Sequence, residues 1–94
     1  MSTYRTNVRI TVDVLKSTSG YSYDNGVGVT HILTSANLSH GRLMKILTKL
    51  VSSGLLTEVN IKSAPRYKIS DKGLEFLKLY HEFEDFTESF GMSI

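Results

Sequence analysis

The hydrophobic residues of this chain recur at spacings that predict a small set of helices and strands. The clearest pattern lies in residues 39–53, where apolar side chains repeat with the period of an α-helix. Those side chains are Leu43, Ile46, Leu47, Leu50 and Val51. Ser39 is a suitable N-cap, and Gly54 can take the left-handed conformation that ends many helices. The pattern therefore predicts an amphipathic helix whose opposite face is polar and basic.

The segments before this helix are less regular. In residues 7–17, valine and isoleucine occupy every second position from Val8 to Val14, which favours a strand, yet Val8, Val12 and Leu15 also fit one face of a helix. The local pattern slightly favours the strand. Residues 18–26 follow as a predicted loop, because Asp-Asn-Gly is a turn signal. Residues 28–35 then predict a short helix.

After Gly54 the pattern predicts a hairpin and one long helix. Residues 55–60 and 66–70 are strand candidates, and residues 61–65, with their single proline, are the predicted turn between them. Ser70 is a predicted N-cap with an acidic residue directly after it, which suits the helix dipole. The last helix should run to about Phe90 and stop at Gly91.

The last helix carries an apolar stripe with the 3-4 spacing of a coiled coil. Its members are Phe76, Leu79, Phe83, Phe86 and Phe90. The alternative is a helix packed wholly on its own domain. A helix of about 20 residues is ~30 Å long, more than one hairpin and three short helices easily cover. We therefore expect a homodimer held by this stripe.

Composition and charge narrow the class of protein. The chain has 94 residues, 40% hydrophobic and 21% charged, so we expect one globular domain. It has no cysteine, no apolar run long enough for a membrane span and no signal-peptide core, which predicts a cytoplasmic protein. Residues 1–68 carry nine basic and three acidic residues, a net charge of +6, and residues 69–94 carry two basic and six acidic residues, a net charge of −4. The basic part suits an anionic partner.

The sequence offers no enzyme motif. The nucleotide-binding, serine-hydrolase and zinc-protease patterns do not occur. The three histidines, His31, His40 and His81, fall on three different predicted elements and lack the spacing of metal ligands. We therefore expect neither catalysis nor a cofactor or metal.

The predicted helix at 39–53 has the chemistry of a DNA-reading helix. Such a helix enters the major groove with its N-terminal residues at the base edges. Arg42 can bond guanine through two parallel hydrogen bonds, and Ser39 and His40 can address bases or phosphates. The predicted hairpin turn is also basic, and its side chains can contact the DNA backbone. The expected DNA contacts of the helix and the hairpin together are Ser39, His40, Arg42, Lys45, Lys49, Lys62, Ser63 and Arg66.

Two stretches of the chain resemble a known family. "HILTSANLSHGRLMKILTKLVSSGLL" and "RYKISDKGLEFLKLYHEFEDF" look like the small archaeal winged helix-turn-helix DNA-binding regulators. The closest group dimerises through a C-terminal antiparallel coiled coil. The family-like features are "ANLS" before the recognition helix, "GLL" after it, and "ISDKG" before the last helix. The first helix is poorer in alanine and leucine than usual, and the first loop is longer.

The resemblance implies a mainly α fold with a β-hairpin wing (α+β) and a long C-terminal dimerisation helix. Residues 1–94 would form a single winged-helix domain, with the core at about 7–70 and the dimerisation helix at 71–90. Residues 7–17 are then a helix, because this fold needs a first helix to cover the next two. The expected function is a dimeric, nucleoid-associated regulator that binds double-stranded DNA. The alternatives are a chromatin-type architectural protein with little sequence preference and a winged-helix module that binds only proteins.

Overall fold

The computed structural model describes residues 6–19, 26–61 and 64–92. In chain order the elements are α1 (Asn7–Ser19), β1 (Val27–Gly28), α2 (Val29–Ala36), α3 (His40–Ser52), β2 (Leu56–Ile61), β3 (Ala64–Ile69) and α4 (Asp71–Glu88). The strands form one antiparallel sheet in the order β1-β3-β2. The predicted mainly α fold with a β-hairpin is confirmed.

Residues 7–17 are helical, and the helix continues to Ser19, so the predicted start of the loop at residue 18 was wrong by two residues. Val12, Val14 and Leu15 are all fully buried, which means that α1 is covered around much of its circumference. The hydroxyl groups of Ser17 and Thr18 donate to the carbonyls of Val14 and Leu15 at 2.6 and 2.8 Å. These polar side chains are therefore satisfied inside the last turn of the helix.

The core lies where α1, α2 and α3 meet the sheet and α4. Its largest fully buried side chains come from three helices and from β2, and they are Leu15, Ile32, Leu43, Leu47, Leu56, Val12 and Val14. Tyr67 of β3 joins this core, and burial raises the pKa of its hydroxyl, with the Glu58 carboxylate adding to the effect.

The hairpin differs from its prediction at the turn. Ile61 ends β2 and pairs with Ala64, so Ala64 and Pro65 belong to β3 rather than to a turn over residues 61–65. A proline fits here because β1 pairs only with Tyr67 and Arg66, which leaves Pro65 facing no strand on that side. The strand β1 was not predicted, since two residues are too short to show a pattern. Lys62 and Ser63, like Tyr21 and Tyr23, lie outside the described residues.

Left-handed residues end the three later helices, as Gly54 and Gly91 were expected to. Asn37, Gly54 and Gly91 have φ values of 54°, 85° and 76° and follow α2, α3 and α4. After α4, the amide of Met92 donates to the carbonyl of Thr87 and that of Gly91 to Glu88, which is a Schellman motif. Among the described residues, no helix combines the length and the apolar character needed to cross a membrane.

Candidate nucleic-acid interface

The start of α3 is fixed by the predicted cap. The Ser39 hydroxyl accepts a hydrogen bond from the amide of Arg42 at 3.3 Å, which satisfies one of the free N–H groups of the first turn. On the other side of the helix, Leu43, Leu47 and Leu50 are buried in the core. The cap and the buried leucines together set which side of α3 faces outwards.

The outward side of α3 is a basic surface. Arg42, Lys45 and Lys49 follow one another at spacings of three and four residues, so they lie on one side of the helix, and all three are exposed. Thr48, which the sequence reasoning did not single out, is exposed beside them. No acidic residue occurs anywhere between Asp24 and Glu58. The whole helix-turn-helix segment therefore contains basic residues and no acidic ones.

His40 lies away from this basic side. It lines an open groove with Met44, at the place where α3 approaches the start of α2 and the part of β3 next to the hairpin turn. The other walls are Gly28, Val29, Thr30, Leu33, Ala64, Pro65 and Arg66. Sequence reasoning also indicates that the free amide groups at the start of α2 can contact a phosphate. It missed the walls from Gly28, Ala64 and Pro65, because β1 and the exact hairpin register were not predicted.

Arg66 has a structural contact in addition to its predicted DNA contact. Its Nη2 donates to the carbonyl oxygen of Gly26 at 3.0 Å, which ties β3 to the residue before β1. The side chain is half-buried at the edge of the groove. A guanidinium has five N–H donors in a fixed plane, so one contact with the backbone also orients the group.

Gly41 leaves the first turn of α3 open. A Cβ atom at this position would meet nothing within 4 Å. The glycine is therefore not required by packing inside the chain. A position without a side chain in the first turn of a DNA-reading helix would permit a close approach to DNA, and this interpretation stays a prediction.

The predicted stripe on α4 is largely solvent-exposed. Leu79, Phe83, Phe86 and Phe90 are 57, 54, 59 and 65% exposed, whereas Phe76 is half-buried against the core. A second face of the same helix packs on the body through Gly73, Leu77, Tyr80 and Thr87. These four apolar side chains of the stripe thus remain exposed in the single chain.

No group of three or more metal-ligating side chains comes together within residues 6–19, 26–61 and 64–92. His31 lies within hydrogen-bonding distance of the Ser35 hydroxyl, at 3.2 Å, and His81 lies 3.6 Å from Glu84. Together with His40, the histidines therefore occupy three separate places.

The fold and the basic α3 agree with a match to a family model described as winged helix-turn-helix, over residues 4–88. The chain belongs to the winged helix-turn-helix family. A solved structure of Sso10a-2, a DNA-binding protein from Sulfolobus solfataricus, is similar to it with a TM-score of 0.76 and 23% sequence identity. That match covers 92% of this chain and 85% of the other, and at this identity it supports the winged-helix fold. No curated protein matches the sequence significantly.

Proposed function

We propose that this winged helix-turn-helix chain is a single-domain, homodimeric regulator of transcription that binds double-stranded DNA. The observation that carries the proposal is the basic outward side of α3, which is capped, exposed and free of acidic residues. An α-helix of this kind fits the major groove of B-DNA. The DNA-binding activity of Sso10a-2, stated for that protein, is consistent with the proposal.

In this proposal some side chains of the interface contact bases and others contact phosphates. Arg42, in the first turn of α3, reads a base edge, with Ser39 beside it. His40, which the sequence also predicts as a DNA contact, would reach DNA only from the groove on the other side of the helix. Lys45 and Lys49 lie further along the helix and neutralise phosphates. The hairpin adds the side chains expected from the sequence at Lys62, Ser63 and Arg66.

The uncovered face of α4 supports the dimer. Tyr80 and Thr87 of α4 face the body of their own chain, so the exposed stripe is left to pair with α4 of a second chain, and we place the two helices antiparallel. Matching the exposed residues in this direction places Leu79 against Phe90 of the partner subunit and Phe83 against Phe86 of the partner subunit. Half-buried Phe76 would then close the edge of the contact.

We expect DNA affinity to fall steeply with salt concentration. Four phosphate contacts per subunit, from Lys45, Lys49, Lys62 and Arg66, make eight per dimer and predict a log–log slope of about −7 at ~0.9 per phosphate. Lys45→Gln should make the slope about 2 less steep, because each dimer loses two contacts. Fluorescence anisotropy on a DNA duplex at several salt concentrations measures both quantities.

Lys78→Gln is the matched control. Lys78 is an exposed lysine on α4, and its substitution removes the same charge as Lys45→Gln. It should leave the slope unchanged. An affinity that does not respond to salt, or a slope that Lys78→Gln changes as much as Lys45→Gln, would overturn the assignment of α3 as the DNA-binding helix.

A further inference from the structure

Arg9 lies where α1 meets α4 and bonds to both helices. Its Nη1 donates to the hydroxyl of Tyr80 at 3.2 Å and lies 3.4 Å from Oε2 of Glu84, while its Nε lies 3.6 Å from Oδ1 of Asp13 on α1. Tyr80 is a buried residue, 8% exposed, on the inner face of α4. The guanidinium therefore connects the body of the chain with the helix proposed to form the dimer.

The chemistry of this junction favours one orientation of α4. The hydrogen bond to Tyr80, followed by the nearby carboxylates of Asp13 and Glu84, raises the pKa of Arg9 further above its ordinary value, so the group stays charged. A planar guanidinium holds its partners in a fixed geometry, whereas apolar contacts tolerate sliding. His81 of α4 also faces Glu84, at 3.6 Å.

Stability is a minor part of what these contacts supply. The side chain of Arg9 is 39% exposed and that of Glu84 is 25% exposed. Ion pairs in such positions contribute little to the free energy of unfolding. The effect of the junction is instead on the direction in which α4 leaves the body.

We propose that Arg9 is a positioning residue that sets the angle of α4 and, through it, the separation of the two α3 helices in the dimer. This inference rests on the proposed function, because it requires a dimer formed by α4. A helix of 18 residues is ~27 Å long, so a rotation of about 10° moves its far end by ~5 Å. The rise of one base pair is only ~3.4 Å, so such a rotation would change the spacing of DNA sites that the dimer fits.

The separation of the α3 helices can be measured without DNA. The chain has no cysteine, so Ser52→Cys introduces a single spin-label site at the exposed end of α3. Pulsed electron double resonance should give one narrow distance in this background. Adding Arg9→Met should shift or broaden the distribution by ~5 Å, the displacement estimated from the length of α4. Tyr80→Phe, which removes only the accepting hydroxyl, should act in the same direction.

Lys16→Met is the matched control, because it removes an exposed positive charge from the same helix. It should leave the distance unchanged, and sedimentation should show dimers for every variant. A narrow, unshifted distance in both Arg9→Met and Tyr80→Phe dimers would overturn the positioning role, as would an equal change in Lys16→Met. If the Ser52→Cys protein with Arg9 unchanged gives no dipolar signal, the chain does not form the proposed dimer, and that part of the proposed function is refuted.

Discussion

Phe83→Glu is expected to convert the proposed dimer into monomers. In the single chain the four residues of the exposed stripe are each more than half exposed, and complete burial of such a side chain contributes about 1.5–3 kcal/mol. Glutamate removes one large apolar side chain from each subunit and places an unpaired carboxylate in the apolar contact, at a further cost of several kcal/mol. A total of ~4 kcal/mol or more raises the dimer dissociation constant by a factor of ~1,000 or more.

Leu74→Glu provides the control for this change. Leu74 is also an apolar residue of α4 and is 48% exposed, but it lies on a different side of the helix from Phe83. The same substitution there should leave the dimer intact. Sedimentation at micromolar concentration measures the oligomeric state of the wild type, Phe83→Glu and Leu74→Glu. A wild type that sediments as a monomer, or a Phe83→Glu variant that remains a dimer, would show that the stripe has another role.

Gly73→Ala should destabilise the fold although alanine is the better helix former. A Cβ atom at Gly73 would collide with the carbonyl oxygen of Leu55 and lie 2.7 Å from Cγ1 of Ile69. The carbonyl of Leu55 also accepts from the amide of Ser70 at 3.2 Å, so it cannot move without breaking the junction before α4. We expect a loss of about 3 kcal/mol, which lowers the thermal midpoint by about 15 °C for a domain of this size.

Gly41→Ala separates this collision from the general effect of alanine in a helix. Nothing lies within 4 Å of a Cβ at Gly41, so the substitution should stabilise the protein by about 0.5–1 kcal/mol. Thermal unfolding followed by circular dichroism compares the two variants. Equal shifts in the same direction would refute the explanation based on the carbonyl of Leu55.

Sequence patterns were informative wherever a helix has one buried side and a clear end. The stripe of α3, its cap at Ser39 and its end at Gly54 were all predicted from residues close in the chain. The pattern of α1 was ambiguous for a physical reason. Since this helix is buried on several sides, its apolar residues satisfy both the helical and the alternating spacing. Only the resemblance to the family, which needs a first helix, decided between them.

Features that depend on distant residues were not predictable. The contact of Arg9 with Tyr80 joins residues 71 positions apart, and no local spacing indicates it. The inner face of α4 was missed because Gly73 and Thr87 are not apolar markers, although both are buried. The "ISDKG" motif pointed to Gly73, but the close carbonyl of Leu55 that explains this glycine is a property of the tertiary structure.

Selection of bound sequences from random DNA tests the central claim most directly. If the chain is a dimeric regulator, the wild type should enrich an inverted repeat, with half-site centres about one helical turn (~34–36 Å) or a multiple of it apart. Arg42→Ala should remove the preference at one position in each half-site, because a good bidentate contact supplies ~1–3 kcal/mol of discrimination. Its non-specific binding should stay within a few-fold of the wild type. A wild type that enriches no sequence, with Arg42→Ala lowering affinity for all DNA alike, would contradict the regulator account and favour an architectural protein.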